Sequence, residues 1–130
     1  MQNAEIGVDF MKDNIILTKT MDFSVRIVKL YKYLCDEKKE FVMSKQLLRC
    51  GTSIGANAHE AHNGQSDRDF LAKMYIAFKE ATEAEYWLSL LIRTNYLIKE
   101  QGEDILQDCI EIKKILTSII KTVKEKTKEG

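Results

Sequence analysis

The sequence predicts an all-α protein in which four helices pack as a bundle. The chain has 130 residues and no proline, so no residue removes a backbone donor from the interior of a long helix. Apolar residues recur at helical spacing in four separate segments. The three stretches between these segments are rich in charged or turn-forming residues, which is typical of connections between helices.

The length is that of a single domain. A chain of this size buries roughly two thirds of the surface that its unfolded state exposes, so it needs no disulfide, metal or other cofactor to fold. We expect residues 21–126 to form the bundle. Residues 1–20 are predicted to be a short or poorly ordered N-terminal extension, and residues 127–130 a C-terminal tail.

The cysteines and the apolar runs indicate a cytoplasmic protein. Cys35, Cys50 and Cys109 form no CxxC pair, and an odd number of cysteines in a small chain favours free thiols in a reducing compartment. No apolar run is long enough to cross a membrane. The first residues lack the basic-then-apolar order of a signal peptide.

The first helix is predicted from about Met21 to Cys35. Asp22 is the expected N-cap, because its side chain can accept a backbone N–H of the first turn. A set of apolar residues falls on one face at helical spacing: Phe23, Ile27, Leu30, Tyr31 and Leu34.

The second helix is predicted to begin at Ser44, as N-cap, and to end near His62 or Asn63. Gly51 and Gly55 are four residues apart and follow no strand, so the context of a phosphate-binding glycine loop is missing. Glycine costs up to ~1 kcal/mol in a helix interior, which is tolerable where two backbones approach closely. We therefore expect close helix packing at these glycines.

The third helix, from about Asp67 to Tyr96, has the clearest pattern. Asn63-Gly64 can adopt the left-handed conformation that ends a helix, and Ser66 with Asp69 forms a capping box. The core-facing seam has the alternating spacing of a bundle: Phe70, Met74, Ala77, Ala81, Ala84, Leu88 and Leu91. Further apolar residues lie off this seam and predict a subunit interface: Tyr75, Ile76, Tyr86, Trp87 and Leu90.

The fourth helix is predicted from about Glu103 to Lys126. The connection before it, "NYLIKEQGED", contains Gly102 as the predicted helix breaker. Its apolar seam is Ile105, Cys109, Ile112, Leu116, Ile119 and Val123. Cys109 is expected to be a small core residue rather than a reactive thiol.

Charge is segregated along a chain whose formal net charge is zero. Residues 26–49 contain seven basic and three acidic residues, residues 80–111 two basic and eight acidic, and residues 113–128 six basic and one acidic. This pattern fits either solvated, mutually complementary helix faces or a surface that holds phosphates. The candidate nucleic-acid-binding residues, with Tyr31 and Tyr33 interleaved, are Arg26, Lys29, Lys32, Lys38 and Lys39.

His59, Glu60 and His62 are the candidate metal ligands. Two imidazoles three residues apart can share a metal, but H-E-A-H lacks the spacing of the H-E-x-x-H metalloproteases. The chain also contains no Glu-x-x-His pair of the di-iron bundles. No nucleophile stands next to a base, so we expect neither a metal site nor an enzyme.

Glu85 lies on the apolar arc of the third helix, where a carboxylate must be paired or protonated. Arg49 is the predicted partner, with Ser53 or Asn57 adding hydrogen bonds. Glu60 lies on the same polar side of the second helix. We interpret these five residues as a structural network that fixes the helix register.

The stretch "QLLRCGTSIGANAHEA", followed by "S..DF..K...A.KEA.E.EYWL.LL", resembles the four-helix bundle proteins encoded in intervening sequences of bacterial 23S rRNA genes. The same family includes the accessory bundle protein of diversity-generating retroelements, a partner of a reverse transcriptase. The resemblance covers about residues 23–119. The matching residues are Arg49, Gly51, Ser53, Ile54, Asn57, Glu60, Ala61, Phe70, Glu80, Ala81, Glu85 and Leu88.

The resemblance implies an antiparallel up-down bundle that assembles into a homo-oligomeric ring, with five subunits expected. It also implies that a basic surface of the ring binds RNA or DNA. Two hypotheses follow for this chain. The first is a non-catalytic oligomer that binds structured RNA near ribosomes or rRNA. The second is a protein-interaction scaffold without a nucleic-acid role, which the zero net charge and the wide apolar faces favour.

Overall fold

The computed structural model describes the backbone of residues 4–129 and the side chains of residues 15–128. Four helices follow in chain order: α1 (Ala4–Asp36), α2 (Met43–Ala61), α3 (Asp67–Arg93) and α4 (Lys99–Glu129). Each helix packs against its neighbours in sequence, and α1 also packs against α4. The prediction of an all-α four-helix bundle is confirmed, and no strand occurs between residues 4 and 129.

The first helix is longer than the sequence pattern indicated. It begins at Ala4, so the predicted start at Met21 and the predicted N-cap Asp22 are wrong. Ile16 and Thr20 are fully buried, and Thr20 Oγ1 donates back to the Ile16 carbonyl at 2.7 Å. The proposed boundary at residue 20 therefore falls in the middle of a core-forming helix. Residues 1–3 of the predicted extension and residue 130 of the predicted tail lie outside the described residues.

Two glycines of α2 allow α1 to approach closely, as predicted. A Cβ on Gly51 would lie 2.9 Å from Ile27 Cγ1, and a Cβ on Gly55 would lie 3.3 Å from the Thr20 side chain. Gly102 has a similar role and is not a helix breaker. It lies inside α4, where a Cβ would come within 2.5 Å of Ile92 Cγ1.

The cap of α2 differs from the one expected. The predicted N-cap Ser44 is replaced by Glu40, whose carboxylate accepts the backbone N–H groups of Val42, Met43 and Ser44 at 3.1, 3.0 and 2.7 Å. Burial alone would raise the pKa of Glu40, but these hydrogen bonds outweigh it and lower the pKa.

The cap of α3 is confirmed, because the Ser66 side chain accepts the Asp69 N–H at 3.1 Å. Left-handed backbone was predicted at Asn63-Gly64. Within the described part of the chain it occurs instead at Lys39 and Asn95, with φ of 54° and 66°. These two residues lie in the α1–α2 and α3–α4 connections.

The predicted seams of α3 and α4 form the core. All the seam residues of α3 after Phe70 are buried, and so are those of α4 before Val123. The Cys109 thiol lies 3.2 Å from the Ala81 carbonyl, and burial raises the pKa of Cys109 to about 12. This confirms Cys109 as a core residue, packed against the small residue Ala81 of α3.

Candidate nucleic-acid interface

Four of the five predicted nucleic-acid-binding residues are exposed at one end of α1. Lys29 and Lys32 lie on the helix, and Lys38 and Lys39 lie in the connection to α2. None of the four forms an ion pair with any acidic side chain that the structure describes. These four lysines and Arg26 are called the α1 surface below.

Arg26 differs from the four lysines because it is held by two carboxylates of α4. Its guanidinium donates to Asp108 at 2.5 Å and to Asp104 at 2.9 Å. Burial lowers the pKa of Arg26, but the hydrogen bonds and charges of the two aspartates outweigh burial and raise it. Arg26 therefore ties α1 to α4, and its charge is largely compensated.

A cleft of about 340 Å³ lies between α1 and the start of α4, beside this ion-paired cluster. Its lining contains both polar and apolar side chains. The lining residues are Arg26, Lys29, Leu30, Tyr33, Leu97, Gln101, Gly102 and Ile105.

The predicted pair between Arg49 and Glu85 is wrong. Arg49 instead bonds to Glu80 at 3.3 Å and to Glu83 at 2.5 Å. The hydrogen bond from Arg49, with a second from the Trp87 indole N–H at 3.0 Å, lowers the pKa of Glu83. The Arg49 side chain is 51% exposed, so this is a surface network between α2 and α3 rather than a buried one.

Ser53 and Asn57 extend the network along α2, but toward Glu80 and not toward the predicted Arg49–Glu85 pair. Ser53 Oγ donates to Glu80 Oε2 at 3.4 Å, and the Asn57 amide donates to the Ser53 carbonyl at 2.8 Å. Glu60 lies apart from these residues and pairs with Lys73 at 2.8 Å. The five predicted residues thus belong to three separate clusters.

Glu85 faces α4 and not α2. Its carboxylate pairs with Lys113 Nζ at 2.8 Å, and the same ammonium group lies 5.2 Å from the centroid of the Phe78 ring. Glu85 is five residues after Glu80, which is about 140° further around the helix at 3.6 residues per turn. This rotation carries Glu85 from the α2 side of α3 to the α4 side.

The two histidines point their Nδ1 atoms at backbone carbonyls of α2. His59 lies 2.8 Å from the Gly55 carbonyl oxygen, and His62 lies 2.8 Å from that of Ala58. Among the described side chains, no group of three or more His, Cys, Asp and Glu residues is arranged to hold a metal ion.

A groove between α3 and α4 was not predicted from the sequence. It consists of two adjoining depressions of about 390 and 300 Å³, which share Phe78 and Thr117. We call it the α3–α4 groove. Its lining residues are Tyr75, Phe78, Glu85, Ile110, Lys113, Lys114, Thr117, Ile120, Lys121 and Lys124. The charge block 113–128 was visible in the sequence, but its aromatic neighbours come from another helix.

Two exposed apolar faces lie on different helices. Among the off-seam residues predicted as an interface, Tyr75, Ile76 and Tyr86 are exposed, and Trp87 and Leu90 are half-buried. The second face, on α1, was not predicted. It is formed by Met21, Val25 and Val28, which are 53, 46 and 37% exposed.

The bundle and its sequence define a known class of small helical proteins. The chain matches the family described as 23S rRNA-intervening sequence protein over residues 12–118, and it belongs to that family. A crystal structure of a protein of unknown function from the S23 ribosomal protein family of Bacteroides thetaiotaomicron is 61% identical. The match covers 85% of this chain and 98% of that one, with a TM-score of 0.83.

No protein of curated function matches the chain. Within the described residues, no helix has the length and apolarity needed to cross a membrane.

Proposed function

We propose that the protein is a non-catalytic, cytoplasmic, oligomeric bundle that binds structured RNA, in particular rRNA, through the α1 surface. The observation that carries this proposal is the set of exposed lysines at positions 29, 32, 38 and 39, which have no acidic partner among the described residues. Lysines of this kind neutralise phosphates and release counterions. The family's description, which refers to an intervening sequence of 23S rRNA, agrees with such a ligand.

The proposed assembly is a homo-oligomeric ring, with five subunits expected from the family resemblance. A ring needs two different, complementary patches on each subunit, because its contacts are head-to-tail. The apolar face of α1 and, on α3, the exposed Ile76 with the half-buried Trp87 provide two such patches on separate helices. Repetition around a ring would multiply a modest basic surface.

The test is a titration of nuclease-treated protein against a labelled hairpin RNA from 23S rRNA at two salt concentrations, with light scattering for mass. We expect submicromolar binding that weakens steeply with salt, on a particle several times the 15.0 kDa of the chain. Lys29→Glu with Lys32→Glu should weaken binding at least tenfold. The matched control is Arg93→Glu with Lys99→Glu, because both residues are exposed and the charge change is the same. No binding by the wild type at low salt would contradict the proposal.

The second candidate function is a protein-interaction scaffold. The exposed apolar residues on α1 and α3 favour it, because contiguous apolar patches mark protein contacts. By the family resemblance, a reverse transcriptase is one class of partner. A pulldown dominated by one protein and unchanged by nuclease would support the scaffold over the RNA-binding function.

A further inference from the structure

The α3–α4 groove carries positive charge that the bundle does not compensate. Lys114, Lys121 and Lys124 are exposed, and none of them forms an ion pair with a described acidic residue. The acidic groups nearby are few. Glu85 is already paired with Lys113, and Glu125 is the one acidic residue in positions 113–128.

Aromatic side chains of α3 line the groove opposite these lysines of α4. Tyr75 is 46% exposed and lines the same 300 Å³ depression as Lys121 and Lys124. Phe78 is half-buried, contributes to both depressions and carries the Lys113 ammonium group over its ring. The groove thus combines lysines on one wall with an exposed aromatic face on the other.

This combination is the one by which proteins bind single-stranded nucleic acid, with cations on the phosphates and aromatic rings against the bases. We propose that the α3–α4 groove binds unpaired nucleotides of an RNA strand. Lys121 and Lys124 contact the phosphates, and Tyr75 stacks on a base. The inference rests on the proposed function, because it takes RNA as the ligand, and it adds a second contact surface and the class of RNA segment bound.

The dimensions of the groove agree with a short segment. Lys114 and Lys124 are ten residues apart on α4, which corresponds to about 15 Å along the helix axis. At about 3.4 Å per stacked nucleotide, that distance spans about four nucleotides. A duplex would not use Tyr75, because its bases are stacked on one another and their faces are closed.

The experiment compares three labelled probes of equal phosphate number by fluorescence anisotropy with the 130-residue protein. They are a 12-nucleotide single-stranded RNA, a hairpin RNA, and a phosphodiester strand without bases. The variants are Tyr75→Leu and the pair Lys121→Glu with Lys124→Glu. The reference variant, Lys29→Glu with Lys32→Glu, makes the same charge change on the α1 surface. Because all these side chains are exposed or at the rim, thermal melting checks that each variant folds.

We expect Lys121→Glu with Lys124→Glu to weaken binding of the single strand at least tenfold, and more than the reference variant does. Tyr75→Leu should weaken single-strand binding at least fivefold and leave the base-free strand within twofold of wild type, because only stacking is lost. Equal binding of the single strand by wild type and Tyr75→Leu would overturn the proposal.

The remaining outcomes separate this inference from the proposed function. If the hairpin binds and the single strand does not, the groove proposal fails and the proposed function stands. If neither RNA binds, both fail. Two results point to another occupant and also overturn the groove proposal. One is tighter binding of an acidic peptide than of the single strand, and the other is a fall in oligomer mass in the Tyr75 or lysine variants.

Discussion

The α1 surface and the α3–α4 groove are both rich in basic residues, yet their surroundings differ. On the α1 surface, Arg26 is neutralised by two aspartates of α4, and the free lysines flank an ion-paired cluster. In the groove, one lysine is paired, and the others surround exposed and half-buried aromatic rings. A cluster of basic residues along one helix therefore does not by itself define a binding surface. Acidic side chains on the neighbouring helix neutralise some of the charges, as Asp104 and Asp108 do for Arg26.

The largest expected effect is loss of the bundle on which both surfaces depend. Ala81 is fully buried and its carbonyl contacts the Cys109 thiol, so Ala81→Glu would bury a carboxylate with no partner. We expect the free energy of unfolding to fall by about 3–5 kcal/mol, measured by urea denaturation. Ala72→Glu, at an exposed position of the same helix, is the control. Near-native stability of Ala81→Glu would contradict the assigned register of α3.

The salt dependence of RNA binding compares the two surfaces directly. Each phosphate contact on a single strand contributes about 0.7 to the slope of log affinity against log salt concentration. Lys121→Ala with Lys124→Ala should lower the magnitude of that slope by about 1.4 for a single strand. Arg26→Ala should leave the slope unchanged. An equal loss of slope in both variants would mean that the compensation of Arg26 by α4 has no consequence for binding.

Glu40 holds the connection that carries Lys38 and Lys39. Its folded-state pKa is lowered, so its contribution to stability is present above the unfolded-state value, near 4.5, and is lost as the pH falls through the folded-state pKa. We expect Glu40→Gln to lower the free energy of unfolding by about 1–2 kcal/mol at pH 7. The difference from wild type should shrink below pH 4.5 in denaturation curves. A difference that does not depend on pH would argue against the carboxylate cap.

The smallest effect is expected for Arg26. Its side chain and those of Asp104 and Asp108 are 36, 72 and 43% exposed, and exposed pairs contribute about 0.2–1 kcal/mol. Arg26→Ala should lower the stability by less than about 1 kcal/mol and change hairpin affinity less than Lys29→Ala does. If Arg26→Ala lowers hairpin affinity more than Lys29→Ala does, Arg26 contacts the RNA despite its two aspartate partners.

The helices and the core could be predicted from the sequence because both depend on a repeating pattern. The seams of α3 and α4 are buried as expected, and Gly51 and Gly55 pack against α1. The start of α1 could not be predicted, because Thr20 interrupts the apolar pattern. Its hydroxyl is satisfied by the Ile16 carbonyl, and Gly55 makes room for its side chain.

The partners of charged residues were harder to predict than their positions. The helical wheel placed Arg49 on the polar side of α2, and it separates Glu80 from Glu85 by about 140° on α3. It could not show which of these two sides of α3 faces α2 and which faces α4. The α3–α4 groove escaped prediction for the same reason. Tyr75 and Lys121 are far apart in sequence, and only helix packing brings them to one depression.

The most direct test of the two binding surfaces is lysine acetylation footprinting, read by mass spectrometry on wild-type protein alone, with a hairpin RNA and with a single strand. We expect the hairpin to protect Lys29 and Lys32, and the single strand to protect Lys121 and Lys124. Lys99, which is exposed and outside both surfaces, should react equally in all three samples. If saturating RNA leaves the acetylation of Lys29, Lys32, Lys121 and Lys124 unchanged from the RNA-free sample, both proposed binding surfaces are contradicted.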